Sequence, residues 1–382
     1  MIKRLGPYKI FFIFLLIPLQ IFSSMNVYFI NYFVVNNFQS ILPSNYMLPQ
    51  FLMCLSCWRI ISSVGRISGA FLIGKYTNNY TLSKAINSVS LGYFVLSLLF
   101  LAFYVSSKII SEIQMLFYVF RYFYMLLAPA CIILPSIYLF SKTPESKHKM
   151  VSACIALATI LGLTATYSLK YLPEFYLNYW PALPVLTTGI AYFFYKYVCD
   201  TSDYSTPQRI DTNNPVSLKN KILGVLLGSA CATAVTFHSL LLNDYVINVR
   251  IIDKCNLDFS GVTYFLELAF FILPCAKIFE KISSTKTILI ALSMMIFLSI
   301  TFGLLDSNGT LYALHQILFA ISSAILIAPS LKFLNELFKE RIFDNMFWVA
   351  TGFSLCFLIV ELAGMILHMI NLGLPLKNPV NY

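Results

Sequence analysis

The chain has 382 residues, 59% of them hydrophobic and only 11% charged, against roughly 25% charged residues in a soluble domain. The net charge of +10 is set by lysines and arginines gathered in short segments between apolar runs, the pattern that orients membrane proteins, so a nucleic-acid partner is not expected. The apolar runs are near 20 residues long, enough to cross a hydrocarbon core of ~30 Å, and they do not alternate polar with apolar as barrel strands do.

The predicted architecture is therefore all-α and polytopic. Eleven spans are expected, at 10–35, 51–74, 88–106, 115–140, 150–169, 176–197, 222–247, 259–279, 287–305, 310–334 and 343–370. The first follows Met1-Ile-Lys3-Arg4 and exceeds a signal-peptide core, so it is read as a helix. The second carries Arg59 and Arg66 among the small residues Ser63, Gly65, Ser68, Gly69 and Ala70, which admit another helix at close range. Cys54 and Cys57 lie one turn apart there and are read as small buried residues, because zinc would need further ligands. The longest polar interval, 198–221, is expected to be a cytoplasmic linker between a six-helix bundle (1–197) and a five-helix bundle (222–382).

Basic residues test this order. One side takes Lys3, Arg4, Lys9, Lys75, Lys84, Lys142, Lys147, Lys149, Lys196, Arg209, Lys219, Lys221, Lys277, Lys281, Lys286, Lys332, Lys339 and Arg341. The other takes Lys108, Lys170, Arg250, Lys254 and Lys377. The bias puts the N-terminus in the cytoplasm. The expected location is the cell membrane, a bacterial inner membrane, with the lipid bilayer as partner.

Six ionisable side chains fall deep in spans: Arg59, Arg66, Arg121, His238, Glu267 and Glu361. Such residues are costly in lipid and mark interior sites. The first six spans contain no carboxylate. Two readings of the arginines stay open. Arg66 and Arg121 bind an anionic group of a substrate through forked donors, or the arginines pair with Glu267, Glu361 or backbone carbonyls. Glu267 on the eighth span and His238 on the seventh are candidate proton-coupling groups. For His238 the rival reading is a hydrogen bond to a neighbouring helix.

A weak internal repeat is present. A shift of 202 carries Lys75 onto Lys277, Ser83 onto Thr285 and Lys84 onto Lys286. A shift of 194 carries Ile133-Leu-Pro135-Ser136 onto Ile327-Ala-Pro329-Ser330, and Arg121 onto His315. Duplicated bundles are common in transporters, and His315 becomes a third substrate-binding candidate.

Three stretches carry a resemblance. Arg66-Ile-Ser-Gly69-Ala-Phe-Leu-Ile-Gly74 is similar to an R-P-x-G-x-x-x-x-G pattern, Arg121 followed by Pro144-Glu145-Ser-Lys147-His-Lys149 to a helix-4 arginine and a PE-x-R-R loop, and Asn335-Glu336-Leu337-Phe338-Lys339-Glu340-Arg341 to an ELFPTR loop after helix 10. Together they resemble the major facilitator superfamily, and within it the metabolite:proton symporters of proline, betaine, dicarboxylates and shikimate. The resemblance implies two bundles that alternate access, protons as the coupling ion and a small-molecule substrate. It also implies an interdomain gate, to which Arg59, Glu361, Lys75, Lys84, Glu336 and Arg341 are assigned. The sequence departs from the pattern at Asn78, Asn79 and Thr81-Leu82-Ser83, where the family's latch loop is charged, and at Asn26 and Asn31, where helix 1 usually carries acids. The family has twelve spans against the eleven expected here. These departures keep a non-transporting or degenerate membrane protein (scaffold, sensor or decayed carrier) as the alternative. No phosphate loop, activated nucleophile, cofactor motif or metal cluster is apparent, and no enzymatic activity, cofactor or metal is expected.

Overall fold

A computed structural model describes residues 60–73, 82–107, 119–130, 134, 140, 143–168, 182–199, 217–236, 260–302, 309–338 and 346–359. The helices among them are, in chain order, α1 (Ile60–Ile73), α2 (Leu82–Ser107), α3 (119–130), α4 (His148–Ser168), α5 (Ala182–Cys199), α6 (Leu218–Thr236), α7 (Ser260–Ile278), α8 (Ser284–Phe302), α9 (Gly309–Phe338) and α10 (Met346–Ile359). They match the second to eleventh predicted spans. The predicted first span, 10–35, lies outside the described residues, as do Cys54 and Cys57 and residues 200–216 of the predicted linker.

Two helix ends differ from the hydropathy pattern for local reasons. α6 begins at Leu218, because the Ser217 hydroxyl accepts the amide of Asn220 at 3.3 Å and caps the first turn. α9 runs to Phe338, so Asn335–Phe338 form its last turn instead of a loop. There Leu334 and Phe338 are buried, and Asn220 Nδ2 donates to the Leu337 carbonyl at 3.2 Å, satisfying an end carbonyl from another helix.

The main core lies where α9 packs on both α7 and α8, and where α7 and α9 pack on α4. It includes Tyr264, Phe265, Leu268 and Ile272 of α7, Met295 and Leu298 of α8, Phe319 and Leu326 of α9, and Ala153, Ala156, Ile160 and Leu163 of α4. Alanines on α4 let it lie close to α7, so helices before residue 200 and after residue 217 share this core. α2 packs on α5, where Phe94 stacks on Tyr192 at 6.1 Å. α2 meets α3 through the Tyr93 hydroxyl on the Tyr124 carbonyl (3.0 Å) and through Ser97 and the Tyr124 hydroxyl (2.8 Å). Glycines set two further contacts. A Cβ at Gly69 would fall 1.9 Å from the Leu126 carbonyl oxygen of α3, and one at Gly352 would fall 2.0 Å from the Val225 carbonyl oxygen of α6. Backbone meets backbone at both places, the close approach that small residues permit between helices in lipid.

Four described helical segments are long and apolar enough to cross a membrane by length and composition: Lys84–Ala102, Leu218–Val235, Ser284–Phe302 and Leu311–Phe338. Their outer faces carry large exposed apolar residues, among them Leu289, Ile296, Phe297 and Ile300 of α8, as a lipid-facing surface requires.

Candidate functional site

The site begins at Ser62 on α1. Its side chain is buried, and its hydroxyl accepts a hydrogen bond from Arg121 Nε on α3 at 2.6 Å. Its carbonyl accepts one from Arg66 Nε, one turn on, at 3.3 Å. The close packing at Gly65 and Gly69 is what brings α1 and α3 near enough for the first bond. Two of the predicted substrate-binding arginines thus converge on one serine, although Ser62 and Arg121 are 59 apart in sequence.

Their surroundings differ. Arg121 is buried, with only 3% of its surface exposed. Arg66 reaches α10, where its guanidinium carbon lies 5.3 Å from the Phe353 ring centre and 4.9 Å from that of Phe357. A guanidinium over aromatic faces is attracted by their quadrupoles. One turn and a half away, Phe71 of α1 meets Phe347 of α10 edge to face at 5.9 Å. Arg66 therefore helps to form a seam between α1 and α10.

Across the molecule, Glu267 of α7 accepts a hydrogen bond from Gln316 Nε2 of α9 at 3.3 Å. One turn earlier on α7, the buried Tyr264 hydroxyl donates to the Ala234 carbonyl of α6 and shares a 3.0 Å bond with Ser323 of α9. These residues form a polar strip through an otherwise apolar core. His315, next to Gln316, points elsewhere. Its Nε2 lies 2.7 Å from the Leu298 carbonyl of α8, and its ring packs between Phe302 and Phe319.

At the end of the molecule formed by residues 143–149, 279–286 and 332–338, Glu336 pairs with Lys332 at 3.2 Å along α9. Lys84 is exposed in the first turn of α2. Arg59, Lys75, His238, Arg341 and Glu361 lie outside the described residues. Among the described residues, no three His, Cys, Asp or Glu side chains come together in a way that could hold a metal ion.

Three residues with evident roles were missed from the sequence. Ser62 is not among the small residues that the sequence singles out in the second span, which start at Ser63. Gln316 is the single amide side chain in 310–334, and an amide in a lipid-length helix needs a partner, so it was findable. Lys149 reads in the sequence as a topology-setting loop charge, but it is buried and donates to three carbonyls beyond α7.

No protein-family model matches the sequence, and no curated protein is detectably similar to it. Solved structures do match. The proton:xylose symporter XylE of the major facilitator superfamily, bound to 6-bromo-6-deoxy-D-glucose, superposes with a TM-score of 0.74 at 13% identity, covering 96% of this chain and 90% of that one. The fold is that of the major facilitator superfamily. A bacterial homologue of the iron transporter ferroportin in its outward-facing state gives 0.71 at 12% identity, over 93% of this chain and 91% of that one. The human organic anion transporter MFSD10 gives 0.61 at 11% identity, over 91% and 93%. The all-α, membrane-spanning class predicted from the sequence is the one observed, and the chain is a multi-pass membrane protein.

Proposed function

We propose that the protein is a secondary active transporter that moves a small, carboxylate-bearing metabolite by alternating access, coupled to protons. The observation that carries this reading is Arg121. It is a guanidinium buried in an apolar helix and held by a neutral serine hydroxyl at 2.6 Å. An arginine in a lipid-length helix faces a polar interior, and the forked donors of a guanidinium suit a carboxylate. The superfamily fold supports the transport cycle, and the similar solved structures include a symporter, an iron transporter homologue and an organic anion transporter. In this reading helices within 1–197 and within 222–382 form the two rocking bundles, joined by a linker near 198–221. Glu267, steadied by Gln316, carries the proton, with His238 as a second relay. Arg66 works with Arg59 and Glu361 in the contact between bundles. The N-terminus is cytoplasmic, in a bacterial inner membrane, and the cargo belongs with those of the metabolite:proton symporters.

The test is Arg121→Gln, which keeps a hydrogen-bond donor near Ser62 and removes the charge. Uptake should be lost while the amount of membrane-inserted protein stays the same. Normal uptake by this variant would remove the anion-binding role.

A further inference from the structure

We propose that Ser62 is a positioning residue that gives the arginine site its selectivity for anions. Its hydroxyl aims Arg121, and because that hydroxyl carries no charge it holds the guanidinium without neutralising it. The inference deepens the transport reading and rests on it for the ligand, a carboxylate-bearing solute.

Position comes first. Ser62 is 1% exposed and Arg121 3% exposed, so neither side chain can exchange its partner for bulk water. The N–H donors of a guanidinium lie in one plane, and the 2.6 Å bond from Nε to the Ser62 hydroxyl fixes that plane. A carboxylate would then be met end-on by the two terminal nitrogens, in the bidentate geometry of a guanidinium–carboxylate pair. The serine is held in place by the backbone around it. A Cβ at Gly65, three residues along α1, would lie 2.8 Å from the carbonyl oxygen of Tyr122, the residue next to Arg121 on α3. The two helices therefore touch beside the bond, and the hydroxyl cannot withdraw from Arg121 without moving a helix.

Charge comes second. Arg66 puts another guanidinium against the same residue, through the Ser62 carbonyl at 3.3 Å, and it also lies over the neutral rings of Phe353 and Phe357. Two cations against one residue repel each other, most strongly where water is scarce, and a bound anion relieves both. A carboxylate in place of the hydroxyl would relieve them permanently and take the position of the ligand's charge. None of the six predicted spans before residue 198 contains Asp or Glu, so Ser62→Asp would introduce the first carboxylate among them.

The first test needs no substrate, so this proposal and the transport reading fail separately. Asp and Asn have nearly the same shape and differ in charge, so Ser62→Asp and Ser62→Asn are compared by thermal denaturation of the full-length protein in detergent. Ser62→Asp should melt clearly above Ser62→Asn, and the difference should vanish or reverse when Arg121→Gln is added. Ser62→Asp melting at or below Ser62→Asn with Arg121 in place would overturn the proposal. The second test is uptake of whichever labelled acid the unsubstituted protein carries, among 2-oxoglutarate, succinate, citrate and shikimate. Ser62→Asp should take it up roughly tenfold less than Ser62→Asn at equal membrane levels, and equal uptake by the two variants would also overturn the proposal. Should both variants fail to insert, Ser62→Ala and Ser62→Thr decide. Ser62→Ala should raise KM roughly tenfold or more with little change in maximal rate, and Ser62→Thr, which keeps the hydroxyl, should restore it. An unchanged KM for Ser62→Ala would remove the positioning role. A higher midpoint for Ser62→Asp together with no uptake of any solute would leave the charge assignment standing and the transport reading fallen.

Discussion

Replacing Gly69 by Ala tests how the arginine site is assembled. The new Cβ would lie 1.9 Å from the Leu126 carbonyl oxygen, 2.7 Å from its carbonyl carbon and 2.9 Å from its Cα. All three are backbone atoms, so no side-chain rotation relieves the clash. Ordinary contact begins at 3.4 Å, so α1 and α3 must part locally by about 1.5 Å. Overpacking of this kind costs about 1–3 kcal/mol, and a backbone obstacle puts Gly69→Ala at the upper end. The Arg121–Ser62 bond crosses the same helix pair at 2.6 Å, and a separation of that size would carry it out of hydrogen-bond range. Gly92→Ala is the control. Its Cβ would meet the tip of the Leu127 side chain at 3.3 Å, which can turn away. Thermal denaturation of the purified full-length protein in detergent should give a clearly lower midpoint for Gly69→Ala and a nearly unchanged one for Gly92→Ala. Equal midpoints for the two variants would refute the close-approach argument.

Two further outcomes are expected. Tyr264→Phe removes a hydroxyl that bonds both Ala234 and Ser323 inside the core. It should lower stability by about 0.6 kcal/mol, the average for such bonds between helices in lipid, and by no more than about 1.7 kcal/mol, read as a lower melting midpoint, and an unchanged midpoint would contradict the role of the polar strip. Glu267→Gln keeps the geometry facing Gln316 and removes the titrating group. Whatever uptake it retains should no longer respond to a protonophore, and a collapse of uptake like that of the unsubstituted protein would exclude Glu267 as the coupling site.

Much of the fold was legible because lipid imposes it. A span must be long and apolar, so the positions of α1 to α10 follow from hydropathy. The small residues of the second span announced a close helix contact, and Gly65 and Gly69 supply it against Met125 and Leu126. Helix ends were less legible, because Ser217 and Asn220 act through single hydrogen bonds that leave no apolar pattern. Side-chain partners were least so. For Arg66 the sequence offered carboxylates, substrate or backbone carbonyls. The structure shows the Ser62 carbonyl and two phenylalanines that lie almost 300 residues away in the chain. Lys149 looked like any loop lysine because its acceptors are backbone atoms, and a sequence does not mark which carbonyls a fold leaves at a helix end.

The central claim is that the buried arginine site takes an anionic metabolite across the membrane with a proton. The most direct measurement is uptake of labelled proline, betaine, 2-oxoglutarate, succinate, citrate and shikimate by cells expressing the full chain, with and without protonophore. The account predicts uptake of a carboxylate-bearing solute that is lost when the proton gradient collapses. No uptake of any of them by well-expressed, membrane-inserted protein would contradict it and favour a non-transporting role for this fold.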